Sequence, residues 1–237
     1  MSRKVFTYQL EHIEHDAWRI FRIMSEFVTG FEELNNVDKA VTIFGSRCIK
    51  PGTAVYEKAV KTAKLLSDKG YTVISGGGSG IMEAANKGGC EGKVKNSIGL
   101  NITLPEHQSA NQWVKHLIEF KYFFVRKVMF VKYAKAFIIF PGGFGTFDEL
   151  FETITLVQTH LVQPIPIVLV HKEFWQGLDT WLKTMVKDSG CIFDGDIALY
   201  SIVDTAEEAA KIVDDYYKKV KASKASEKKV KSYNKLK

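Results

Sequence analysis

Between Ala136 and Glu149 an apolar run, Ala136-Phe137-Ile138-Ile139-Phe140, meets Pro141-Gly142-Gly143-Phe144-Gly145-Thr146, and an acid follows three residues on at Glu149. A buried strand that runs into a glycine turn and then a helix start builds an anion pocket. The glycines let the backbone approach a ligand, and the unpaired N–H groups of the first helical turn favour phosphate. Glu149 has two readings. Thr146-x-x-Glu149 ahead of Leu150-Phe151 has capping-box spacing, in which both side chains satisfy helix-end amides. Otherwise its carboxylate serves a part of the ligand away from the phosphate.

Two more turns belong with this one. Ser75-Gly76-Gly77-Gly78-Ser79-Gly80-Ile81-Met82 follows a strand pattern, and Gly45-Ser46-Arg47 follows an earlier one, so the three are expected to enclose one phosphorylated ligand from the same sheet edge. Neither G-x-G-x-x-G nor G-x-x-x-x-G-K-[ST] is completed, which argues against NAD and against P-loop ATP hydrolysis and leaves a mononucleotide or sugar phosphate. Arg126-Lys127 interrupts an otherwise apolar helix pattern, Phe123 to Val131. Two adjacent charges cannot both occupy a core, so at least one reaches a solvent edge, an acidic partner or a ligand, and Arg126 is the better candidate.

Metal, thiol and serine chemistry lack comparable signals. His12 and His15, beside Glu11 and Glu14, fit a solvated helix face with no third ligand, so no metal is expected. Cys48, Cys90 and Cys191 are odd in number and form no CxxC, which fits a reducing cytosol. Neither G-x-S-x-G nor HExxH occurs.

The elements that must position these residues alternate. Helical spacing over 11–34 is followed by strands at 40–44, 71–75, 97–102, 136–140 and 165–170, with helices at 54–69, 81–91, 123–135, 147–159 and 174–187. A short strand at Ile202 and a helix from Ala206 complete the pattern. Such βα alternation in 237 residues implies one α/β domain, a parallel sheet with helices on both faces and ligands at the carboxyl ends of its strands. The polar stretch Leu104 to Asn111 either lines or covers that cleft. The expected divisions are an N-terminal helical extension at 1–38, a nucleotide-binding domain at 39–217 and a disordered basic tail at 218–237. That tail holds nine lysines against one acid, Glu227; the chain's net charge is +6, so the remainder is slightly acidic. Nucleic acid is therefore not expected as a partner except weakly through the tail. The apolar runs are shorter than the roughly 20 residues of a membrane span, and a cytoplasmic protein is expected.

Taken together, the motifs resemble those of the Lonely Guy phosphoribohydrolases, Rossmann-like proteins formerly mislabelled as lysine decarboxylases. Pro141 to Glu149 is similar to that family's PGGxGTxxE, Gly76 to Met82 to its other glycine turn, and Arg126-Lys127 to its arginine-lysine pair. The resemblance runs from about Asp16 to Leu182. The leading helix and Leu100 to Pro105 resemble the longer bacterial-type branch.

The resemblance implies hydrolysis of the N-glycosidic bond of a nucleoside 5′-monophosphate, AMP or a cytokinin riboside monophosphate, without a cofactor and in a homodimer. It implies Arg126 and Glu149 as the catalytic pair. The nucleotide would be held by Gly45, Ser46, Gly77, Gly78, Gly80, Met82, Gly142, Gly143, Phe144, Gly145 and Thr146, with Lys127, Glu83 and Glu152 as further candidates. Glu83 stands where shorter cytokinin-activating members have glycine, so AMP is expected at least as much as a cytokinin nucleotide. The alternative is a non-catalytic nucleotide-binding or cofactor-carrier module on the same fold, similar to molybdenum-cofactor carriers, in which Glu149 only caps its helix.

Overall fold

The computed structural model describes residues 16–103 and 109–233. In chain order the elements are α1 (Asp16–Glu33), β1 (Ala40–Phe44), α2 (Ala54–Asp68), β2 (Thr72–Ser75), α3 (Ile81–Glu91), β3 (Ser97–Ile102), β4 (His116–Phe120), α4 (Phe123–Tyr133) and β5 (Ala134–Ile139). They continue with α5 (Phe144–Gln158), β6 (Ile167–Val170), α6 (Lys172–Trp181), a π-helical turn (Leu182–Val186), α7 (Asp194–Ile197), β7 (Ser201–Val203) and α8 (Ala206–Tyr233). The seven strands form one parallel sheet in the order β4-β3-β2-β1-β5-β6-β7. This is the expected Rossmann-like α/β architecture.

Both sheet faces are covered, which is why the central strands read as continuous apolar runs. Val41 and Ile43 of β1 join Ile138 of β5 in a layer with Tyr56, Ala63 and Leu66 of α2, Ala84 and Ala85 of α3, and Val213 of α8. Phe44 and Ile139 join Met129 and Phe130 of α4, Leu150 of α5 and Trp175 of α6 on the other face. Fully buried Thr42 donates its hydroxyl to Phe130 O at 3.3 Å, tying the end of α4 to β1. At the other end of α4, the backbone N–H groups of Lys121 and Tyr122 donate to the Glu26 carboxylate of α1.

The chain moves outward from β1 to β4 and returns through α4 to β5 on the other side of β1. The crevice at the carboxyl ends of β1 and β5 is therefore the switch point where such sheets bind ligands. Backbone hydrogen bonds join the turns there: Ser46 N–H donates to Pro141 O (2.9 Å), and Ile81 N–H donates to Ser46 O (3.0 Å). The second glycine turn is pinned from behind. Asn86, fully buried, accepts from Ser75 Oγ (2.7 Å) and from Asn111 Nδ2 (2.9 Å), and donates to Ser97 Oγ (2.6 Å). Asn111 N–H also donates to Gly77 O at 2.8 Å, so the polar stretch ends on this turn. Residues 104–108 of that stretch lie outside the described residues.

Several boundaries differ from the sequence-based expectation. Strand β4 was not expected; it is an edge strand in which Ile118 and Phe120 are buried while Leu117 and Glu119 are exposed, too short an alternation to stand out. Helix α4 ends two residues early, and β5 starts at Ala134. The segment expected as a disordered tail from Lys218 is helical in its backbone through Tyr233, with Lys218 paired to Asp214 one turn back at 2.8 Å. His12 and His15 lie outside the described residues.

Gly80 shows how closely the turns meet. Its φ is +68°, and an added Cβ would lie 2.4 Å from Ser46 O and 2.6 Å from the carbonyl carbon of Arg47. Gly80→Ala combines backbone strain with a backbone clash that no side chain can relieve. It is expected to lower stability in urea unfolding by about 2–4 kcal/mol, whereas Gly195→Ala, where an added Cβ meets nothing within 4 Å, is expected to change it little.

Candidate active site

A cavity of about 360 Å³ opens at this switch point. Gly45, Ser46 and Arg47 enter from the β1 turn, and Gly76 and Met82 from the turn after β2. Arg126 comes from α4, and Gly143, Gly145, Thr146 and Glu149 come from the start of α5. Its apolar walls are Phe44, Ile102, Phe123 and Phe130.

Helix α5 begins earlier than expected. Gly143 is its N-cap, and both Thr146 N–H (2.9 Å) and Phe147 N–H (3.0 Å) donate to Gly143 O. Thr146 is thus already helical and Glu149 sits in the second turn, which overturns the capping-box reading of the pair. The Phe144 and Gly145 N–H groups precede the first helical hydrogen bonds, the position that suits an anion. A Cβ on Gly143 or Gly145 would meet nothing within 4 Å. At these two positions the missing side chains keep the cavity open. At Gly142, by contrast, an added Cβ would fall 2.1 Å from Thr146 Oγ1, so this glycine lets the turn close against Thr146.

Glu149 is only 4 % exposed, and its Oε2 is buried without a hydrogen-bond partner. Burial raises its pKa to about 7, although Lys127 and Arg126 pull in the opposite direction. Arg126 is its counterpart. Its Nε is likewise buried and without a partner. Its guanidinium carbon lies 5.0 Å from the Phe123 ring centre and 5.2 Å from that of Phe130, so two aromatic faces hold the cation in the cavity wall. Burial lowers the Arg126 pKa, with Glu149 opposing.

Other expected site residues fall outside this cavity. Lys127 forms ion pairs of 2.9 Å with Asp148 and with Glu152, which accounts for both Lys127 and Glu152. Glu83 lies outside the cavity, near enough to Tyr56 of α2 that its carboxylate adds to burial in raising the pKa of that hydroxyl. Gly77, Gly78, Gly80 and Gly142 shape the turns without lining the cavity. Phe144 is 94 % exposed and borders a separate surface groove with Phe147, Asp148 and Phe151. Sequence reasoning did not single out Phe123, Phe130, Phe44 or Ile102. The first two stand three residues before and four after Arg126, the helical spacing that makes neighbours, so that signal was available. Among the described residues no group of three or more His, Cys, Asp or Glu is placed to hold a metal, and no helix is long and apolar enough to cross a membrane.

The family described as "Possible lysine decarboxylase" matches residues 82–213, more than half of the chain and the part that carries Arg126 and Glu149. The chain belongs to this family. Among its relatives, a protein of Arabidopsis thaliana named cytokinin riboside 5′-monophosphate phosphoribohydrolase LOG2 is 25% identical over 195 residues, covering 79% of this chain and 88% of the relative. A cytokinin riboside 5′-monophosphate phosphoribohydrolase of Mycobacterium tuberculosis is 29% identical over 160 residues, 65% of this chain and 82% of the relative. These matches bear out the Lonely Guy resemblance. Among solved structures, the molybdenum cofactor binding protein of Rippkaea orientalis superposes with a TM-score of 0.55 at 18% identity, covering 75% of this chain and 95% of that one. The molybdenum cofactor carrier protein of Chlamydomonas reinhardtii gives 0.53 at 19% identity, with coverage of 75% and 97%. At such identities the likeness is one of fold.

The buried carboxyl has a consequence for stability. The Glu149 pKa of about 7 lies above the ordinary 4.5, so between these limits the folded protein retains a proton that the unfolded chain releases. The stability this provides is complete below about 4.5 and is lost as pH rises through 7. Glu149→Gln mimics the neutral form. In urea unfolding it is expected to match wild type near pH 4.5 and to exceed it above pH 7 by about 3 kcal/mol.

Proposed function

We propose that the protein hydrolyses the N-glycosidic bond of a nucleoside 5′-monophosphate, AMP or a cytokinin riboside monophosphate, to the free base and ribose 5-phosphate. The observation that carries this reading is the buried, partnerless carboxyl oxygen of Glu149 in one cavity with Arg126 and the open start of α5. A group held so far from water at a cost to stability suits a role in chemistry better than one in folding.

In this reading the 5′-phosphate takes the Phe144 and Gly145 N–H groups and the Thr146 hydroxyl. Cleavage develops positive charge on the ribose ring, which the Glu149 carboxylate stabilises while it orients or deprotonates the attacking water. Arg126, held between Phe123 and Phe130, is the cation for the phosphate or for the departing base. Phe44, Ile102 and Met82 offer apolar contacts for that base. A homodimer is part of the proposal, supported by exposed apolar side chains on α1 (Trp18, Phe21 and Met24) and on α4 (Phe124 and Val128).

The test is release of ribose 5-phosphate from AMP and from isopentenyl-adenosine monophosphate, by wild type and by folded Glu149→Gln. Wild type is expected to release it, and the variant to be slower by about a thousandfold while still binding nucleotide. Nucleotide bound by wild type without release would establish the carrier reading instead. Undiminished turnover in the variant would remove Glu149 from the chemistry.

A further inference from the structure

A second, larger cavity lies at the other end of the sheet, about 920 Å³ at the amino ends of β1, β2, β5 and β6, where α8 crosses them. Nothing in the proposed hydrolysis uses it. Five lysines line it, Lys39, Lys132, Lys135, Lys218 and Lys221, against two acids, Asp38 and Asp214. Asp214 is already committed to Lys218 at 2.8 Å and to Lys69 at 3.3 Å. Among the described residues none of Lys39, Lys132, Lys135 and Lys221 has a carboxylate at ion-pair distance, and Asp38 makes no ion pair.

Two of these cations, Lys39 and Lys221, are near enough for each to feel the other's charge. Lys39 is held in place, its Nζ 3.8 Å from the Tyr71 ring centre and donating to Lys69 O at 2.9 Å. Burial and then Lys221 lower its pKa, with Asp214 opposing, so positive charge here is under-compensated. The tyrosine walls do not supply the missing acceptors: the hydroxyls of Tyr216 and Tyr217 donate to Pro164 O and Lys135 O. A cavity of nucleotide size with an excess of unpaired ammonium groups suits an oligophosphate, which lysines recognise as point charges.

We propose that this cavity is a second ligand site, which binds a small anion carrying two or more linked phosphates through Lys39, Lys135 and Lys221. The site is separate from the Glu149 cavity and does not depend on the hydrolase reading.

The test is calorimetric titration of the full chain at low ionic strength with inorganic tripolyphosphate and, separately, with ATP. Lys135→Gln/Lys221→Gln is expected to weaken binding of either probe by about tenfold or more, while Arg126→Gln, which alters only the other cavity, leaves it unchanged. Among the described residues neither lysine makes an ion pair, so thermal unfolding of the double variant is expected to match wild type. Should it unfold early, Lys221→Gln alone, on the exposed side of α8, gives the same reading with a smaller loss. Equal affinities for the two probes assign the site to the phosphate chain, and tighter ATP adds a contribution from the nucleoside; both support the proposal. Binding that survives the lysine changes belongs to the basic end of the chain beyond Lys221, and binding lost in Arg126→Gln belongs to the first cavity. Either result, or no binding of either probe, overturns it.

Discussion

Keeping the carboxyl of Glu149 out of water is the constraint around which the cleft is arranged. A lone buried carboxylate would be far too costly to retain as an anion, and a fully paired one would have an ordinary or depressed pKa. Glu149 lies between these limits. Burial raises its pKa to about 7, while Lys127 and Arg126 keep ionisation within reach of neutral pH. Lys127 acts from outside the cavity, fixed by Asp148 and Glu152 on α5. Arg126 acts from within, held by two phenylalanine rings in place of a carboxylate partner. Replacing either arrangement by a direct ion pair to Glu149 would remove the poised proton.

The fold supplies the rigidity this requires. Helices α4 and α5 flank β5 in the chain, and the sheet order changes direction between β1 and β5, so the first turns of both helices meet at one crevice. The β1 turn is hydrogen-bonded to the β5 turn through Ser46 N–H and to α3 through Ser46 O. Glycine makes these approaches possible where another residue would collide, as at Gly80, and leaves open space where a ligand would sit, as at Gly143 and Gly145. The same sheet leaves a lysine-lined cavity at its opposite end, where the strand starts and α8 enclose a larger volume.

Much of this was legible in the residues, and the exceptions have physical reasons. Strands β1 and β5 are buried on both faces, so their largely apolar runs, broken only by Thr42 and Lys135, identified them. Arg126 and Glu149 stood out as charges in apolar or glycine-rich surroundings. The start of α5 was misplaced because Gly143-Phe144-Gly145 has turn composition, yet the helix begins there, capped by Gly143 with no side-chain hydrogen bond. That shift of three residues separates a capping glutamate from one in the second turn. Glu83 was singled out because shorter family members have glycine there, and Glu152 because it stands one helical turn beyond Glu149; in the fold neither lines the cavity, and Glu152 pairs with Lys127 at 2.9 Å. Edge strand β4 escaped notice because only alternate side chains are buried.

The most direct test of the central claim is to follow the Glu149 carboxyl itself, by carbon NMR of glutamate-labelled protein with Glu149→Gln as the assignment control, alongside the pH dependence of kcat/KM for AMP. The account predicts one carboxyl titrating near 7, absent from the variant, with activity falling below the same pH as that group takes up its proton. A Glu149 that titrates in the ordinary carboxylate range, or an activity profile that passes through neutrality without following it, would contradict the account.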